Sequence, residues 1–153
     1  MPLRPPLSLL SLLLPVLLAQ PSAARAAPAV QPVVEVYKTA TCGCCKQWIT
    51  HLEANGFSVK AHDVANPGDY RARFGLADEH GSCHSAKVQG YAIEGHVPAS
   101  DIKRMLATRP QALGLAVPGM PMGSPGMEGA HSEPYDVLLV KKDGTTGVYK
   151  RYR

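Results

Sequence analysis

The sequence predicts one α/β domain in which a β-sheet of mixed direction carries helices on its faces and ends in a β-hairpin. Three observations predict it. Strand-like and helix-like segments alternate from Val33 to Leu106. Two strand-like runs flank Asp143-Gly144 near the end of the chain, a turn pair that favours a hairpin. A length of 153 residues, with 45% hydrophobic and 6% aromatic residues, suits one globular unit and excludes a coiled coil, a collagen-like chain or a charged disordered tail.

Ahead of that domain, Arg4 precedes an apolar run from Leu7 to Ala19, and Ala24-Arg25-Ala26 offers a small-x-small cleavage site. Residues 1–26 therefore read as a secretory signal peptide, residues 27–32 as a linker and 33–153 as the folded domain. The run is too short to cross a hydrocarbon core of about 30 Å as a helix, and no later stretch reaches the roughly 18 apolar residues a span needs. The mature chain is expected to be soluble and exported, with no membrane span. Cleavage takes away Arg4 and Arg25 and no acid, so the formal charge falls from +4 to +2. That is too weak for a nucleic-acid footprint. Arg71/Arg73, Lys103/Arg104 and the Lys150-Arg151-Tyr152-Arg153 tail read as solvated surface.

Val33–Lys38 is β-branched and aromatic, hence a strand. Cys45, Trp48, Ile49 and Leu52 then fall at i, i+3, i+4 and i+7, one apolar helical face opened by Cys42-Gly43-Cys44-Cys45 and stopped by Asn55-Gly56. Phe57–Val64 alternates as a second strand. Asn66-Pro67 starts a short helix closed by Gly75. A polar loop over 81–85 leads into a third strand, Ala86–Ile93, interrupted by Gly90. After the turn Glu94–Pro98, Ser100 is the expected cap of a helix presenting Ile102, Met105 and Leu106, ended before Pro110. Residues 110–134 are so rich in Pro and Gly that they read as a long loop and exclude a central strand. Tyr135–Lys141 and Gly147–Tyr152 complete the hairpin.

Four cysteines in an exported chain are ordinarily two disulfides. Here Cys42, Cys44 and Cys45 share one tetrapeptide, so every complete pairing puts one bridge inside it. Such a bridge closes a ring worth about 1.9 kcal/mol, against about 3.9 kcal/mol for a bridge from the cluster to Cys83. A domain of this length buries roughly two thirds of its unfolded surface and folds without staples. Stability does not account for three clustered thiols. The helix N-terminus favours thiolates, which are both nucleophiles and metal ligands. Cys42 and Cys45 have the C-x-x-C spacing of a thiol-disulfide oxidoreductase, but Cys44 between them could scramble that disulfide. A single zinc site leaves Cys44 unused. Cu(I) takes soft thiolate and thioether donors, and thiolates can bridge several Cu(I) ions. Met120, Met122 and Met127 add soft donors from the Pro/Gly loop, or else form a flap over the core. His84 and His96 are loop histidines and candidate ligands; His80 and His131 are weaker ones, and His51 and His62 are expected on exposed faces. Trp48 and Met105 read as packing.

Tyr37-Lys38 before Cys42-Gly43-Cys44-Cys45 and Trp48, then Ser82-Cys83-His84, Glu94-Gly95-His96-Val97-Pro98, Val117–Pro121 and Gly123–Glu128, resemble the CopG-like periplasmic proteins. The resemblance runs from about Val33 to Tyr152. It implies a thioredoxin-like fold and copper binding through Cys42, Cys44, Cys45 and Cys83, with His84, His96 and the loop methionines as further candidates, in copper resistance. The readings carried forward are a periplasmic Cu(I)-binding protein, with copper ions and other copper-handling proteins as partners; a thioredoxin-like oxidoreductase using Cys42 and Cys45; and a disulfide-closed domain that binds another protein.

Overall fold

The computed structural model describes residues 32–153, so the signal-peptide reading of 1–26 and nearly all of the linker lie outside the described residues. The chain runs β1 (Val33–Lys38), α1 (Gly43–Ala54), β2 (Ser58–Asp63), α2 (Gly68–Arg73), a 3-10 turn (Asp78–His80), β3 (His84–Val88), β4 (Tyr91–Glu94), α3 (Ala99–Thr108), β5 (Ala112–Ala116), β6 (Tyr135–Lys141) and β7 (Thr146–Tyr152). All seven strands join one sheet in the order β2-β1-β3-β4-β5-β6-β7. β1/β2 and β4/β5 pair in parallel and the other four pairs are antiparallel. The predicted mixed α/β sheet with a terminal hairpin is what forms. Among the described residues no helix is long and apolar enough to cross a membrane.

The parallel β1-α1-β2 unit follows from the hydrophobic pattern. Val34 and Val36 are wholly buried on one face of β1, and Cys45, Trp48 and Leu52 are the buried stripe of α1 laid over it. α3 adds Ile102 and Met105 to the same core. Fully burying each such aliphatic side chain contributes about 1.5–3 kcal/mol.

Four sequence expectations change. The single strand expected over 86–93 is two strands: Gln89 and Gly90, both at positive φ, turn β3 back into β4. Gly90 therefore closes a tight two-residue hairpin. The 110–134 loop contains β5, well inside the sheet, because its prolines and most of its glycines fall outside Ala-Leu-Gly-Leu-Ala. Gly114, the exception, lets β5 lie against β4: a Cβ there would meet the Ala92 carbonyl. α3 is capped by Pro98 without a side-chain bond, not by Ser100; His51 Nε2 instead accepts the Ala99 N–H at 3.1 Å. His51 is therefore half-buried, and His62 is half-buried against the Tyr37 ring at 4.7 Å, neither on an exposed face.

At the far edge, β7 presents Lys150 and Arg151 beside a half-exposed Val148, and Arg153 follows it. Arg153 reaches back to Asp136 on β6 at 3.1 Å.

Candidate metal centre

The C-terminal ends of β1, β4 and β5 and the start of β3 meet at one end of the sheet, where Lys38 is paired with His84 and Glu94 with both Ser85 and Ala116. Cys42 caps α1 there, its sulfur accepting the Cys45 N–H at 3.3 Å. Cys42 and Cys45 are joined as a disulfide, while Cys44 and Cys83 are free thiols. Cys44 Sγ lies 3.5 Å from Cys42 Sγ and 3.7 Å from Cys83 Sγ; Cys83 Sγ lies 3.5 Å from Cys45 Sγ. All four sulfurs fall within 4.8 Å of one another. With metal–sulfur bonds of about 2.3 Å, the edge of a ligand tetrahedron is about 3.8 Å, so these spacings suit shared ions.

Cys83 also belongs to a second group with His84 and His96, whose donor atoms again lie within 4.8 Å of one another. His84 opens β3 and is wholly buried, so it is a strand histidine and not a loop one. Its Nδ1 is 3.4 Å from Cys83 Sγ, its ring packs on Trp48 at 4.3 Å, and its Nε2 has no hydrogen-bond partner. His96, in the turn after β4, is equally buried. Its Nδ1 is 2.8 Å from the Pro125 carbonyl, which can only accept, so the proton sits on Nδ1 and the Nε2 lone pair faces Cys83 Sγ at 3.1 Å. Metal-binding histidines are oriented in this way by a carbonyl on the other ring nitrogen.

Residues 118–127 form a strap over this end. Gly126, at positive φ, sits directly on α1: a Cβ there would lie 2.7 Å from the Cys44 carbonyl oxygen and 2.8 Å from Trp48 N. The strap carries the three candidate methionines. Met120 is 49% exposed, whereas Met122 and Met127 are half-buried. His80 and His131 stand outside both donor groups; His80 is buried in the 3-10 turn and His131 is exposed.

Beneath the site lies a network the sequence reading missed. Glu94, wholly buried, accepts the Ser82 N–H at 2.9 Å and the Ser85 hydroxyl at 2.6 Å, and meets Arg71 at 3.4 Å. Arg71 is not solvated surface: its side chain is 14% exposed and its other nitrogen holds Asp78 at 2.8 Å. Cys83 is thus clamped between two residues bonded to one carboxylate. No local signal marks Glu94, which reads in sequence as an ordinary turn residue.

Burial sets the protonation of the site. It pushes the Cys83 thiol up to about 12, with the neighbouring Cys44 adding to the effect. It also drives His84 down to about 3, helped by His96, and lowers His96 itself, against the Pro125 carbonyl and Glu128. At neutral pH both imidazoles are therefore free bases, and Cys83 gives up its proton only to a compensating cation.

No curated protein matches the chain. The profile of a family described as "Protein of unknown function, DUF411" matches residues 80–127. Two solved structures are similar over most of the chain. One titled "Copper resistance protein copG- Form 2" has 44% sequence identity and a TM-score of 0.77, covering 81% of this chain and 100% of that one. One titled "Copper resistance protein copG- Form 1" has 44% identity and a TM-score of 0.76, covering 80% and 98%. The chain belongs to the CopG family. In this chain the site gathers one buried and three half-buried sulfurs beside two buried imidazoles.

Proposed function

We propose that this protein binds copper in the periplasm for copper resistance or handling, holding Cu(I), as more than one ion, on Cys42, Cys44, Cys45 and Cys83, with His84, His96 and the methionines Met120, Met122 and Met127 as further donors. The observation that carries the reading is the approach of all four sulfurs to within 4.8 Å of one another. Soft, clustered and partly shielded from water, they match the preference of Cu(I) over that of harder ions. The two solved CopG structures, titled copper resistance proteins, support the metal and the setting. The leader-like residues 1–26 support export.

The disulfide bears on mechanism. Opening Cys42–Cys45 takes two electrons and two protons and returns two thiols to the donor set. In reverse, two Cu(II) ions each gain one electron as Cys42 and Cys45 lose two in forming the bond and release two protons, which would make the protein a copper reductant. Titration of reduced protein with Cu(I) against a competing chelator tests the main reading. High affinity that falls at least about tenfold in Cys44→Ser is the expected result, each tenfold being about 1.4 kcal/mol. Absent binding, or affinity untouched by the substitution, overturns it.

A second reading, a thioredoxin-like thiol-disulfide oxidoreductase, is favoured by the disulfide itself, placed at the start of α1 in a β1-α1-β2 unit with Cys42 half-buried. Against it, Cys44 and Cys83 stand 3.5 Å from Cys42 and Cys45 and are competing nucleophiles. Insulin reduction that persists under a copper chelator and disappears in Cys42→Ala would favour this second activity.

A further inference from the structure

The two donor groups share only Cys83, and the disulfide uses two members of one group and none of the other. Closing Cys42–Cys45 removes two thiolates from the four-sulfur group. Cys83, His84 and His96 are left as they were. We propose that these three residues form a separate one-copper site that survives oxidation of the cluster, so that the thiol redox state sets how many copper ions the protein carries and never empties it. The proposal rests on the copper reading above and assigns its donors to two subsites.

Three features set this group apart. The edges are of the right size: with metal–sulfur and metal–nitrogen bonds of about 2.3 and 2.0 Å, a tetrahedral S···N edge is about 3.5 Å. Cys83 Sγ stands 3.4 Å from His84 Nδ1 and 3.1 Å from His96 Nε2, so an ion enters with a shift of a few tenths of an ångström. The orientation is prepared, because the Pro125 carbonyl fixes the proton of His96 on Nδ1. The burial is costly: His84 is wholly enclosed between the Trp48 and His96 rings, its Nδ1 meets the Cys83 sulfur at 3.4 Å and its Nε2 makes no hydrogen bond of normal geometry. Two imidazoles and one thiolate are also a donor set that accepts both Cu(I) and Cu(II), whereas sulfur alone selects Cu(I).

Oxidation is written with a small-molecule disulfide as acceptor. The thiols of Cys42 and Cys45 lose two electrons and two protons in forming their S–S bond, and the acceptor's S–S bond breaks to give two small thiols. Copper at Cys83/His84/His96 takes no part in that step.

The test compares two preparations of the mature chain, one fully reduced and one treated with the small disulfide until only Cys44 and Cys83 remain titratable. Each is loaded with Cu(I) under argon against a competing chelator, and X-ray absorption then reads the copper neighbours. The expected result is more than one copper with mainly sulfur neighbours in the reduced protein, and one copper with one sulfur and two nitrogens in the oxidised protein. In the oxidised protein Cys83→Ser and His96→Gln should each weaken that ion by more than about 100-fold, above the 10- to 100-fold typical of losing an outer-shell partner. The wild-type absorption spectrum decides the matter even where a variant fails to fold. An oxidised protein that binds no copper, binds as many ions as the reduced one, or binds copper through sulfur alone overturns the two-subsite proposal and leaves the copper reading standing. Failure of both preparations to bind overturns both.

Discussion

The two ends of the β-sheet are built from the same strands and have opposite chemistry. At one end, β1, β4 and β5 finish and β3 begins beside half-buried and buried sulfurs, two buried imidazoles and a buried carboxylate, with the 118–127 strap packed on α1 through Gly126. At the other, the β3–β4 turn, the start of β5 and Lys142 surround an open cavity of about 350 Å³ lined by polar groups, among them Gln89, Arg109 and Gln111. There the polar side chains are solvated, tied only by Lys142 to Gln111 at 2.9 Å and by the Tyr91 hydroxyl to the Pro110 carbonyl at 3.0 Å. The difference teaches that chemistry-bearing residues here are recognised by mutual dependence: His96 is oriented by the Pro125 carbonyl, His84 packs on Trp48 and Cys83 lies between residues bonded to Glu94, so changing one disturbs several.

Substitutions matched across the two ends test this, from the largest effect to the smallest. Glu94→Ala takes from Arg71 one of its two carboxylates, leaves the Ser82 N–H without its partner and leaves the Ser85 hydroxyl only the Pro67 carbonyl at 3.3 Å, and should lower stability by about 3–5 kcal/mol. Chemical denaturation reads this, with a weakened copper affinity expected alongside because Cys83 sits between two of those groups. A wild-type-like midpoint would show that the clamp is dispensable.

Gly126→Ala pushes a Cβ into the backbone of α1 at a positive φ, and about 2–4 kcal/mol of stability should go with it. Its counterpart Gly90→Ala, also at positive φ but with nothing within 4 Å of the added atom, should cost only about 1 kcal/mol. Equal melting shifts for the pair would remove the distinction between a packed strap and an open turn.

Acid should act through the buried imidazoles. His84 is depressed to about 3 from an ordinary 6.5, so the unfolded chain binds a proton below 6.5 that the folded chain refuses. Its contribution to stability is present above that value and lost as pH falls toward 3, at about 1.4 kcal/mol per pH unit. Between pH 6.5 and 5 the metal-free protein should lose about 2 kcal/mol, a slope that His84→Asn reduces. Least affected should be Arg109→Ala at the open cavity, with a stability change within about 0.5 kcal/mol and copper binding unaltered.

Much of the fold was legible in the sequence because its signals are local. The Cys45/Trp48/Leu52 stripe, the Asp143-Gly144 turn and the β-branched β1 each carry their own period or turn chemistry. Misreadings came where tertiary contact overrules composition. β5 hides inside a Pro/Gly-rich stretch since burial between β4 and β6, not propensity, makes it a strand. Of the candidate site, the cysteines and His96 that spacing and setting single out are ones the fold brings together. Glu94 and Arg71 did not, because a buried ion pair 23 residues apart in sequence leaves no periodic trace. The Pro125 carbonyl that sets the His96 tautomer is a backbone atom, invisible to any reading by residue type.

The cationic outer row of β7 has a consequence for how this molecule keeps company. An open sheet ends in unpaired amides and carbonyls that invite another chain to add on, and Lys150 and Arg151 along that border make such addition electrostatically unwelcome. A protein with thiols at one pole gains from refusing neighbours along its flank, since two sheets that zipped together would hold reactive sulfurs of separate molecules near enough to crosslink.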